Sequence, residues 1–146
     1  MMTRIHQLAV VAWLIPSALW AQSRMPSDTS LFAAREAVWR DFFAASPALA
    51  EELPADFVAM QARDSAWADR ARTLAQARAS AAAGTRLVSL RFPRNLVQRY
   101  GNVAIIHSRY EMTLERPAGT RTTAGQITEV FVWTGQRWIH PAWHME

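Results

Sequence analysis

The feature that most constrains this chain is a change of hydrophobic period at Gly84. Before it, apolar residues recur every three or four positions; after it, they alternate. A three-to-four spacing places side chains on one face of a helix, whereas alternation places them on one face of a strand. Helices first and a run of strands after define an α+β layer fold. Leu31, Ala34, Val38, Phe42, Ala45 and Leu49 follow the helical spacing, with Asp28 or Ser30 positioned as cap. Trp39 and Phe43 widen that face, while Arg35, Glu36 and Arg40 are expected mainly outside it. Ser46-Pro47 predicts a short second helical turn ending at Pro54, and Ala55 to Met60 an edge strand. A third helix is expected from Asp64 through Trp67, Ala71 and Leu74 to the alanine cluster, with Gly84 as its left-handed terminator.

Beyond Gly84 the alternation predicts strands over Thr85 to Phe92, Leu96 to Tyr100, Val103 to Glu115 and Gln126 to Trp133, and a fifth from Arg137. Gly101-Asn102 and Gly135-Gln136 are hairpin-turn signals, and Pro117 to Gly119 opens a longer loop. A sheet curled against the first helix would leave a cavity at one end.

The first residues have a separate character. Met1 to Gln7 contains Arg4 and no acid, Leu8 to Trp20 is an apolar run interrupted by Pro16, and Ala21-Gln22-Ser23 follows. This three-part layout predicts a signal peptide over residues 1–21, a linker over 22–29 and one domain over 30–146, in an exported, periplasmic protein. The apolar run is short of the roughly 20 residues that a permanent span needs. Every one of the 16 basic residues is arginine, and without Arg4 they number 15 against 12 acids, a net charge of +3. They are dispersed, which argues against a nucleic-acid partner. With no cysteine, thiol catalysis, disulfides and cysteine-ligated zinc are excluded. No glycine-rich phosphate loop, nucleophile elbow or His-Glu-x-x-His helix is present.

The segment Val97 to Tyr110 resembles the central hairpin of the nuclear transport factor 2-like superfamily, in particular its SnoaL-like and ketosteroid-isomerase-like branch. Ile127 to Trp133, Gly135 to Ile139 and Trp143 to Glu146 resemble that branch's closing hairpin. The resemblance implies a cone in which a curved antiparallel sheet, packed on N-terminal helices, encloses a mostly apolar pocket, often in a homodimer. It also implies that function does not follow from fold.

Among candidate residues, Tyr110 is expected on the inward face of its strand with Ala104, Ile106, Ser108 and Met112, and His107 and Arg109 on the other face. Glu129 is expected to point outward; if inward, burial would raise its pKa and make it a usable base. His140, His144 and Glu146 share strand parity, which raises acid/base work or a metal site; Pro141 and the terminal position of Glu146 weigh against the metal, and none is assigned. The family's last strand often brings a histidine to the cavity, which places His144 with Trp39, Phe43 and Tyr110 in the pocket. The leading expectation is a binder of a small apolar molecule without cofactor. The alternatives are a cofactor-independent isomerase or lyase using His144 or Glu129, with Tyr110 on the oxyanion, and a protein-interaction module.

Overall fold

A computed structural model describes residues 25–61 and 66–146. The expected leader over 1–21 lies outside the described residues, as does Asp64. Helix α1 (Asp28–Ala44) is capped not by Asp28 or Ser30 but by Ser27, whose hydroxyl accepts from the Ser30 N–H at 3.4 Å. Its apolar spacing turns Leu31, Val38 and Trp39 into the interior. A short helix α2 (Leu49–Glu52) follows, with the Ser46 hydroxyl accepting from the Ala48 N–H. Strands β1 (Val58–Gln61) and β2 (Ala68–Asp69) then lead into helix α3 (Arg70–Ala82), where the Asp69 carboxylate accepts from the Arg72 N–H at 2.8 Å. Trp67 was expected on this helix at core spacing, but it precedes the helix and is 67% exposed. Gly84 follows the helix with φ +74°, the left-handed conformation its position calls for.

Four long strands complete the chain: β3 (Arg86–Tyr100), β4 (Val103–Arg116), β5 (Gly119–Trp133) and β6 (Trp138–Met145). The six strands form one mixed sheet in the order β2-β1-β6-β5-β4-β3. Only the β1–β6 pair is parallel. Three expectations change here. β1 is not an edge, because it lies between β2 and β6. The two strands expected before Tyr100 are one, since a register shift between Arg91 and Arg94 carries the ribbon past Pro93 without ending it. The loop expected from Pro117 is a tight turn, and β5 already begins at Gly119.

The curved sheet is open, with the helices against its inner face, so the architecture is the α+β cone. Strand β4 contributes Ala104, Ile106, Tyr110, Met112 and Leu114 to the interior on strict alternation. Leu31, Leu49, Leu53, Phe57 and Phe131 meet them or pack in the same core, each almost wholly buried. Burial at this level contributes about 1.5–3 kcal/mol per large apolar side chain. Among the described residues no helix is long and apolar enough to cross a membrane.

Candidate functional site

The inner face of the sheet carries polar groups that a core of this composition does not need. Glu129 is the first. It faces inward with no exposed surface, reversing the outward direction expected for it. The sheet shows why: Glu129 is registered between Ile106 of β4 and Trp143 of β6, while its strand neighbours Thr128 and Val130 are half-buried on the outer face. Both faces of this strand are rich in apolar residues, so parity alone had nothing to decide on.

Trp39 Nε1 on α1 donates to Glu129 Oε1 at 3.0 Å, and Oε2 has no hydrogen-bond partner. Burial pushes the Glu129 carboxyl up to about 7, against the opposing pull of the Trp39 hydrogen bond and of the Arg35 charge. His140 Nε2 lies 3.9 Å from Glu129 Oε1, also with no exposed surface, and its ring stacks on Phe131 at 4.1 Å. Burial brings the imidazole down to about 3, against the opposing pull of the Ala142 backbone. The two side chains are therefore a neutral acid and a neutral imidazole near pH 6.

Arg35 is the third polar intruder: it is expected mainly outside the apolar face with Glu36 and Arg40, but side chains of β3 and β4 cover it. It is 4% exposed. Its Nη1 donates to Asn95 Oδ1 at 2.7 Å and Ser108 Oγ at 2.9 Å, and its guanidinium lies 3.6 Å from the Phe92 ring centre. Burial lowers its pKa, while the Glu129 and Glu36 charges support the protonated form.

In front of Trp39 an apolar recess of about 450 Å³, counted with its open mouth, lies between α1 and the sheet. Val38, Trp39, Phe42, Phe43, Met112 and Trp143 line it, with Gln61 as its polar group. Trp39 thus forms one wall of the recess with its ring and holds Glu129 with its indole nitrogen. The apolar lining suits the apolar part of a small organic molecule.

Two candidates lie elsewhere. Tyr110 is buried against Trp39, ring centres 5.5 Å apart, and its hydroxyl donates to the Glu146 carbonyl at 3.3 Å. Burial raises its pKa. His144 is registered opposite Thr128 and lines a groove on the outer face of the sheet, with His107. The shared parity expected of His140, His144 and Glu146 fails at one point. Between the pairs Val130–Ala142 and Val132–Ile139, β6 has one residue more than β5, so His140 and Pro141 both oppose Phe131. A bulge of this kind turns the following residues to the opposite face. His140 is inside and His144 outside, which separates the proposed acid/base or metal cluster.

Gly125, opposite Tyr110, is required by space and not by its dihedral angles. A Cβ there would lie 2.1 Å from the Glu146 carbonyl oxygen and 2.8 Å from the Tyr110 hydroxyl. Gly125→Ala should cost about 1–3 kcal/mol as the strand end and the tyrosine give way. Thermal denaturation checks this, and an unchanged midpoint would mean that the end of β6 contributes nothing to holding the tyrosine.

No family model matches the chain, and no curated protein matches it in sequence. Solved structures do match. A nuclear transport factor 2-like protein from Cytophaga hutchinsonii superposes with a TM-score of 0.67 at 11% identity, covering 83% of this chain and 98% of its own. A nuclear transport factor 2-like protein of unknown function from Prochlorococcus gives 0.65 at 14% identity over 84% and 93%. The CaMKII hub of S. rosetta gives 0.63 at 13% identity over 81% and 94%. At these identities the likeness speaks for the fold: the chain has the nuclear transport factor 2-like fold, a curved sheet with helices on its inner face.

Proposed function

We propose that this is an exported domain that binds a small, largely apolar molecule in the recess beside Trp39. The observation that carries the reading is the composition of that recess, eight large or branched apolar side chains around one amide, Gln61. The Gln61 amide is suited to one polar group on the ligand, and the aromatic walls to the rest. The reading takes residues 1–21 as a leader removed on export. It also takes the protein as a homodimer, because the outer face of the sheet is apolar across neighbouring strands: Tyr100, Val103, Ile105, Val130, Val132 and Ile139 are all partly or fully exposed there. An exposed apolar face of this extent favours a second copy over solvent.

A second reading, of the enzyme class, rests on Glu129. A carboxyl pushed up to about 7 in a water-excluded site is a usable proton donor and acceptor near neutrality. A cofactor-independent isomerase or lyase would need the Trp39 indole to swing away from Glu129 and open the recess onto it.

Native mass spectrometry of the protein recovered from the periplasm tests these readings together. The expected result is a chain beginning near residue 22, as a dimer retaining a small organic molecule that is lost in Phe43→Asp. An empty monomer that also fails to take up a panel of apolar ligands would sink the pocket and the dimer. A ligand that leaves chemically changed from wild type but unchanged from Glu129→Gln would favour the enzyme.

A further inference from the structure

The β3–β4 ribbon places two arginines of β3 opposite acids and a third opposite another arginine. Arg86 is registered with Glu115 and pairs with it at 2.6 Å; Arg91 is registered with Glu111 and pairs at 2.9 Å. The next arginine, Arg94, is registered with Arg109. Directly opposed residues of an antiparallel pair share a face, and like charges there repel. Among the described residues neither arginine has an ion pair or side-chain hydrogen bond.

These two guanidinium groups sit over the outer groove, on the side of the sheet opposite the recess. The groove measures about 880 Å³ with its open mouth, and His107, Gln126, Thr128 and His144 supply further polar groups. Glu146 is the one carboxylate at its edge, and it makes no ion pair with either arginine. Positive charge also lies beneath: Ser108, which lines the groove, accepts from buried Arg35. The walls are not wholly polar, because Leu96, 59% exposed, contributes to them.

We infer that this outer groove is a binding site for a small organic carboxylate, its anionic end between Arg94 and Arg109 and its apolar part against Leu96. A carboxylate bridging the two guanidinium groups relieves their repulsion and accepts charge-assisted hydrogen bonds from both. Leu96 selects an organic anion over an inorganic one. The site lies across the sheet from the recess, with Ile127 of β5 between them.

Isothermal titration calorimetry at fixed ionic strength, with hexanoate, acetate and inorganic phosphate as probes, tests the site. Hexanoate should bind saturably and more tightly than acetate or phosphate. Arg94→Gln and Arg109→Gln should each weaken hexanoate by about tenfold or more, the loss of one charged hydrogen-bond partner. Arg91→Gln, whose side chain pairs with Glu111 outside the groove, should leave it unchanged. Circular dichroism of the variants keeps folding in view; at these exposed positions, removing one of two like charges should leave it intact. Absence of saturable hexanoate binding to wild type overturns the proposal, and so does phosphate binding as tightly as hexanoate. Hexanoate binding unaffected by either groove substitution also overturns it, since that is the behaviour of a ligand in the inner recess.

Discussion

Glu129→Gln should make the protein more stable at pH 8 by about 3 kcal/mol relative to its effect at pH 4, or by roughly 10 °C in melting midpoint. The sign follows from proton counting. In the unfolded chain the carboxyl has its ordinary value of 4.5, and in the folded chain burial raises it to about 7. Between those values the folded state holds a proton on Glu129 that the unfolded state has released, so this side chain's contribution to stability falls as pH rises through the interval. Below pH 4.5 both states are protonated and the penalty vanishes. The glutamine keeps a carbonyl oxygen for Trp39 Nε1 and cannot ionise, so the variant escapes the penalty. Any cost of its amide nitrogen without a partner is the same at every pH and drops out of the comparison. Glu52, raised to about 7 by burial and by neighbouring Asp41, adds a slope of the same sign in both proteins and cancels as well. Urea unfolding across pH 4 to 8 provides the measurement. Parallel curves for the two proteins would show that Glu129 ionises in the folded state as it does in water.

Trp39→Ala should cost about 3–5 kcal/mol, the range for emptying a buried aromatic site. The indole packs on Phe92 at 5.7 Å and Tyr110 at 5.5 Å, forms a wall of the recess and donates the one hydrogen bond that Glu129 accepts. Trp39→Phe separates these roles. Phenylalanine refills most of the space but donates nothing, so its cost should be about 1–3 kcal/mol at pH 8, where the carboxylate is charged and left without a donor. At pH 5 the acid is already neutral and the cost should shrink. Because the Trp39 hydrogen bond opposes the rise of the Glu129 pKa, losing it should extend the fall in the Glu129 contribution, which still begins near 4.5, to higher pH. Equal costs at both pH values would place the whole effect of Trp39 in packing.

These two residues also mark the boundary of what the sequence disclosed. The helix-to-strand switch at Gly84, the turns at Gly101-Asn102 and Gly135-Gln136 and the inward face of β4 were all legible, because each is set by local period or by a glycine at positive φ. Long-range pairing was not. The parallel contact of β1 with β6 joins segments whose patterns say nothing about each other, and β5 extends to Gly119 through a threonine-rich stretch with no alternation to read. Within the site, Trp39 and Phe43 were found on helical spacing, and they line the recess. The grouping of His140 with His144 fails because one extra residue at Pro141 reverses the strand parity on which it depends. The burial of Arg35 is not legible in the helix, because its guanidinium is covered by partners from distant strands, Asn95 and Ser108, which no helical pattern announces.

The closeness of His140 to Glu129 has a consequence for the folding reaction itself. At pH 5.5 an unfolded chain presents this pair as imidazolium and carboxylate. In the folded chain burial lowers the histidine to about 3 and raises the glutamate to about 7, so both are uncharged. The histidine's contribution to stability is present above its unfolded value of 6.5 and is lost as pH falls toward 3, opposite in direction to that of Glu129. Between pH 4.5 and 6.5 the two slopes cancel, because one side chain surrenders a proton and the other gains one. Folding thus performs an acid–base neutralisation inside the molecule, with no net exchange of protons between this pair and the buffer. The interior never has to solvate an ion pair, and the heat of that internal transfer belongs to the folding enthalpy whatever buffer surrounds the protein.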